Sequence, residues 1–185
     1  MAVLSPSDGD RRIGYRVWVP LTDADIAAEL APAGLLFIER EAGEVRLPLK
    51  PNRSAASSLP EDGRFDARPE EVVDVDDPDV VAKVNAGWLR MAVEFGLFDE
   101  RHEFLINVNY SGDPSEEERA WVRVRILEEW DIAGSEVEQL RGGFAGMFTT
   151  RFVPEFWVLS LDQRVLMNTT IWGNGTVSTI VIRPE

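Results

Sequence analysis

Apolar and polar positions alternate with a period of two at several places along this chain, and with a helical period at one. Tyr15, Val17 and Val19 alternate with Arg16 and Trp18 up to Pro20, which predicts a short strand. Thr22-Asp23-Ala24-Asp25 has the spacing of a capping box, so a helix should start there, run through Ile26–Leu30 and stop by Gly34. Leu35–Glu39 and Val45–Leu49 alternate again, predicting two strands joined by a turn at Glu41-Ala42-Gly43. Residues 50–70 combine Pro, Ser and Gly with little apolar content and are expected to form a long loop.

The clearest helix follows. Val80, Val81, Val84, Trp88, Met91, Ala92 and Phe95 recur at helical spacing, with Asp77 as the expected cap, Pro78 in the first turn and Gly96 as the stop. Glu103–Tyr110 and Trp121–Trp130 read as strands flanking an acidic connection, and a short helix is expected at Ser135–Leu140 before Gly142-Gly143. Four further strands are expected at Phe144–Val153, Phe156–Leu161, Arg164–Trp172 and Thr176–Ile182. Asp162-Gln163 and Gly173-Asn174-Gly175 make the tight connections between the last three, and Asn-Gly is a strong hairpin signal. The order predicts an α+β fold: one domain over 1–185, whose antiparallel sheet ends in a C-terminal meander. One long helix packs on that sheet, with one or two short helices beside it. No segment repeats at a fixed period, so a solenoid or propeller is excluded.

Charge adds the next constraint. The 185 residues carry 19 Lys+Arg against 33 Asp+Glu, a net charge of −14. Residues 70–139 hold 6 basic and 19 acidic side chains, so one stretch carries −13 of it. Such a field repels phosphate backbones and anionic lipid, which argues against nucleic acid and membrane partners and for a more basic protein. No apolar run of signal-peptide or membrane-span length is present, so a cytoplasmic location is expected.

The catalytic inventory is short. No cysteine is present, which removes thiol catalysis and every cysteine metal site, and His102 is the only histidine. His102 lies in Asp99-Glu100-Arg101-His102-Glu103 with no nucleophile-elbow Ser to accompany it, and reads as a solvated loop residue. Asp74-Val75-Asp76-Asp77-Pro78-Asp79 fails the calcium-loop spacing, because position 5 falls on Pro78 or Val80 depending on the start. Carboxylates at a helix start are explained by capping and the helix dipole, so no metal is expected. Glu128-Glu129 with Asp131 would place neighbouring carboxylates on opposite strand faces. Gly142-Gly143-Phe144-Ala145-Gly146 lacks dinucleotide-loop spacing, no phosphate-loop motif exists, and no cofactor is expected.

What remains is binding equipment. Asp113, Glu116, Glu117 and Glu118 sit on one hairpin connection, and the six tryptophans are Trp18, Trp88, Trp121, Trp130, Trp157 and Trp172. Trp88 falls on the apolar helix face. Trp121 and Trp130 are expected at strand ends, and Trp172 abuts the turn holding Asn174. Aromatic anchors beside an acidic segment are what a charge-steered interface uses, so the expected contact residues are Asp113, Glu116, Glu117, Glu118, Trp121, Trp172 and Asn174.

The stretch VWVPLTDADIAAEL (17–30), the C-terminal RVLMNTTIWGNGTVSTIVIRP (164–184) and the overall length resemble the actinobacterial antitoxins of the tuberculosis necrotizing toxin type. That resemblance implies an immunity protein whose partner is a toxin domain with NAD-hydrolysing activity, inhibited by occlusion of its active site. Two other classes stay open: a small enzyme or ligand-binding domain using Arg151, Asp162 and Arg164 between sheet and helix, and a secretion-substrate chaperone with exposed apolar patches.

Overall fold

A computed structural model describes residues 19–48, 72–113, 116–141 and 154–183. Thr22 caps the first helix, α1 (Asp23–Leu30), through the expected box: its hydroxyl accepts from the Asp25 amide while Asp25 Oδ2 accepts from the Thr22 amide at 2.8 Å. A single 3₁₀ turn, Ala31–Ala33, then ends at Gly34, whose φ of 70° is left-handed. A side chain at Gly34 would also collide with the Glu129 carbonyl, so glycine is required twice over. Strand β1 (Leu35–Arg40) follows.

After the two-residue β2 (Val73–Asp74) comes α2 (Val80–Phe95), which buries Val84, Trp88, Met91, Ala92 and Phe95 and ends at left-handed Gly96. Its cap is Asp79 rather than Asp77. The Asp77 carboxylate instead accepts from the Asp79 amide at 2.8 Å and from Lys83 Nζ at 2.5 Å. At 16 residues α2 is of ordinary length, not the long helix expected. Strands β3 (Glu103–Asn109), β4 (Arg119–Ile126), β5 (Phe156–Leu159), β6 (Leu166–Ile171) and β7 (Thr176–Ile182) complete the fold. The short helix before Gly142 is one 3₁₀ turn, Glu138–Leu140. The strand expected at Tyr15–Val19, the loop 50–70 and the strand 144–153 lie outside the described residues, Val19 excepted.

Among the described residues seven strands form one antiparallel sheet in the order β1-β4-β3-β5-β6-β7-β2, and β5–β6–β7 are the expected meander. The chain is therefore α+β. β1 pairs with β4 (Leu35 opposite Ile126, a bulge between Phe37 and Glu39), not with residues 45–48 of the expected strand, whose last residue, Leu49, lies outside the described residues. Residues 41–48 form no strand. β4 ends at Ile126, four residues before Trp130; past it the Leu127 amide donates to the Gly34 carbonyl at 2.9 Å and the Asp131 amide to the Ala33 carbonyl at 3.1 Å.

Both faces of the sheet are covered. Alternate residues Phe104, Ile106, Val122, Val124, Phe156, Val158, Met167 and Val181 join α1 and α2 in the main core. Its centre is Trp88, fully buried and within 6 Å, centroid to centroid, of Phe98, Phe104, Trp130 and Phe156. These rings fill the space between sheet and helix. On the opposite face Leu105, Leu159, Leu166, Ile180 and Ile182 form a second cluster, with Trp121, Trp157, Trp172, Val45 and Leu47 packed against it.

Candidate functional site

The strand directions decide where the expected contact residues meet. β3 runs toward the connection 110–118. β5 and β6 keep the alternation, so the turn after Ile171 lies at that same end of the sheet. β2 pairs Asp74 with Thr176, and the Val75 amide donates to the Gly175 carbonyl at 3.0 Å, bringing Asp74–Asp79 to this end as well. The two hairpin ends are three strand spacings apart, roughly 14 Å. One end of the sheet thus carries Asp113, Glu116, Glu117 and Glu118 on one side, Asp74, Asp76, Asp77 and Asp79 on the other, and Trp172 with Asn174 beside the second group.

Asn109 builds the acidic connection. Its Oδ1 accepts from the amides of Ser111 (3.0 Å) and Glu118 (2.9 Å), and its Nδ2 donates to the Glu116 carbonyl (3.2 Å). Ser111 and Asp113 close a tight turn, and Gly112 lies so near the Val19 carbonyl that any side chain would strike it. The result is an open pocket of about 290 Å³ lined by Val19, Pro20, Ser111, Gly112, Asp113, Glu116, Glu117 and Glu118.

Not all that charge is bare. Glu118 lies 4.0 Å from Arg40 and Glu117 3.7 Å from Arg119, whereas Glu116 forms no ion pair with a described residue. Arg119 is itself anchored, donating to Asn107 Oδ1 and to the carbonyls of Leu140 and Arg141. Beneath the pocket Tyr110 is buried; its hydroxyl donates to Asp23 Oδ1 at 2.8 Å and its ring lies 4.3 Å under the Arg40 guanidinium. Burial, and then the Asp23 carboxylate, push the Tyr110 phenol well above its ordinary value. Hydrogen bonding from Lys83 holds Asp77 below the usual carboxylate range.

Trp172 Nε1 donates to Ser178 Oγ at 2.6 Å, which leaves the indole half-buried beside the turn. The Asn174 side-chain Oδ1 accepts from the Thr176 amide (3.2 Å) and hydroxyl (2.8 Å), and Gly175 takes a φ of 81°. Trp121 is displaced from its expected position: it is the third residue of β4, opposite Asn107, on the second face. Trp130 is likewise no strand end but a partner of Trp88 in the main core.

The other candidates have structural employment. His102 is exposed with φ 59°, its carbonyl accepting from the Ile126 amide at 3.1 Å. Asp74 Oδ1 accepts from the Asp76 amide at 2.8 Å, and no three metal-ligating side chains converge among the described residues. Asp162 Oδ1 accepts from Ser160 Oγ (2.5 Å) and the Arg164 amide (3.1 Å), shaping the β5–β6 turn; Arg151 lies outside the described residues. Glu128 and Glu129 are exposed beyond the end of β4.

Sequence reasoning missed Asn109, Tyr110 and Arg40, which hold the acidic connection in place. The run Asn109-Tyr110-Ser111-Gly112-Asp113 offered a signal, since Asn, Ser, Gly and Asp are turn formers whose side chains bond nearby amides. It also missed Glu103, 2% exposed, whose carboxylate receives Arg125 (2.5 Å) and Arg123 (2.5 Å) at the opposite end of the sheet.

No protein-family model matches this chain, and no curated protein or solved structure matches it either. No helix among the described residues is long and apolar enough to cross a membrane.

Proposed function

We propose that this chain is a cytoplasmic immunity protein (antitoxin) that lays the acidic end of its sheet over the active site of a more basic toxin domain and occludes it. The observation that carries the proposal is the gathering of two separate carboxylate groups, Asp74–Asp79 and Asp113–Glu118, at one end of a seven-stranded sheet. A field of one sign concentrated on one surface draws in an oppositely charged protein and orients its approach. Trp172, half-buried at that end, supplies an aromatic anchor, and Asn174 shapes the neighbouring turn. The chain's resemblance to immunity factors of necrotizing toxins makes an NAD-hydrolysing enzyme the first partner to examine.

The test is an inhibition titration. The basic protein captured from producing cells at low salt is identified by mass and assayed for NAD hydrolysis while this chain is added. The proposal expects activity to fall to background near one equivalent. It expects weaker inhibition by the variant carrying Glu116→Gln, Glu117→Gln and Glu118→Gln. Full enzyme activity in the presence of a several-fold excess of the chain would overturn it.

A further inference from the structure

Residues 41–48 leave β1 and cross the second face of the sheet without joining it. Their fixed ends set the path. The Glu41 amide donates to the Trp121 carbonyl at 2.9 Å, toward the acidic end. The Arg46 amide donates to Gln163 Oε1 at 2.8 Å, in the β5–β6 turn at the opposite end. In the same stretch Val45 and Leu47 pack against the cluster of Leu105, Leu159, Leu166, Ile180 and Ile182. The segment therefore passes over β4 and β3. Among the described residues its other hydrogen bond is local, from the Gly43 amide to Glu41 Oε1 at 3.0 Å, and Ala42, Gly43, Glu44 and Arg46 are exposed.

We propose that residues 41–48 are a strap latched by Gln163, which opens from the second face as a unit while the sheet stays folded. The latch sits on a stiff support. Gln163 has a φ of 59° and its amide donates to the Ser160 carbonyl at 2.8 Å. Ser160 Oγ accepts from the amides of Arg164 and Val165, and it donates to Asp162. The turn thus fixes the backbone from which the Gln163 side chain reaches the strap. Among the described residues the segment is held by the Glu41 backbone bond at its root, one long-range side-chain hydrogen bond and two partly buried apolar side chains, which places it at the low end of local stability, whereas β3 is paired on both sides. Opening removes Val45 and Leu47 from the cluster against which half-buried Trp121 and Trp157 also pack, which gives it an optical signature.

Native-state hydrogen exchange on the full chain tests this, using Gln163→Asn and Leu47→Ala. Asparagine tolerates the left-handed backbone but is one methylene too short to reach Arg46. In the native sequence, amides 43–47 should exchange faster than those of β3. Gln163→Asn should speed the Arg46 amide roughly five- to tenfold, the loss of one net hydrogen bond, with β3 and β6 unchanged. Leu47→Ala should speed the whole strap and increase acrylamide quenching of indole fluorescence. Exchange of 43–47 only together with β3 would overturn the proposal. So would a Gln163→Asn variant that leaves Arg46 unchanged or accelerates every amide equally.

Discussion

Tyr110 and Asp23 meet across 87 residues of sequence: the buried phenol donates to Asp23 Oδ1 at 2.8 Å and fastens the start of α1 to the end of β3. The Leu21 amide reinforces the joint by donating to the Tyr110 carbonyl at 2.8 Å. The acidic connection starts from this joint, so its geometry depends on the pair. Tyr110→Phe should cost about 1–2 kcal/mol, since it deletes a hydrogen bond to a carboxylate. A fall in thermal midpoint of roughly 2–6 °C is the expected readout.

The same pair sets an alkaline limit. The folded Tyr110 pKa lies above its unfolded value of about 10, so the folded state holds the proton more tightly. Its contribution is complete below that unfolded value and is lost as pH rises toward the folded one. Urea unfolding at pH 9 and pH 11 should show native stability falling, with a shallower fall in Tyr110→Phe. Equal slopes would remove Tyr110 from the account.

Glu103 sets the acid limit at the opposite end of the sheet. Hydrogen bonds from Arg125, and then from Arg123, hold its carboxyl below the ordinary range against the cost of burial. The stabilisation is present above the unfolded glutamate value and disappears as pH falls through the depressed folded one. Glu103→Gln should therefore melt below the native protein at pH 7, and the gap should close as the buffer is taken toward pH 3. A gap that stays constant with pH would assign the loss to packing alone.

Trp88 is the core residue most exposed to mutation. Trp88→Ala should cost about 3–5 kcal/mol by emptying the centre of four packed rings. Trp88→Phe should cost well under half of that. It keeps an aromatic ring and removes an indole N–H that has no hydrogen-bond partner among the described residues. Calorimetric melting of the two variants orders them directly.

Much of the fold was legible because its signals are local. The spacing Val84, Trp88, Met91, Ala92, Phe95 placed α2, the Thr22/Asp25 box placed α1, and the Gly173-Asn174-Gly175 turn placed the last hairpin. The misread segment, Val45–Leu49, shows where locality ends. Val45 and Leu47 do point to one apolar surface, as their alternation implied. Alternation cannot say whether the backbone finds a neighbouring strand, and β1 had already found β4, about ninety residues away. Asp77, expected as the cap, instead accepts from Lys83 Nζ and the Asp79 amide, and the helix starts after Asp79, whose side chain makes no capping hydrogen bond. At the site, the acidic residues could be named from the sequence, but their meeting at one sheet end follows from strand order and could not.

The most direct test of the central claim is the association rate of this chain with its basic partner as a function of salt. The screening length falls from about 10 Å at 0.1 M to about 3 Å at 1 M, so steering by the acidic end must weaken. The account predicts a steep fall in association rate with salt, and a several-fold slower, flatter rate for the triple Glu116→Gln, Glu117→Gln, Glu118→Gln variant with dissociation little changed. Trp172→Ala should instead speed dissociation by roughly thirtyfold, about 2 kcal/mol, at an unchanged association rate. An association rate indifferent both to salt and to the triple variant would contradict the claim that the acidic end of the sheet receives the partner.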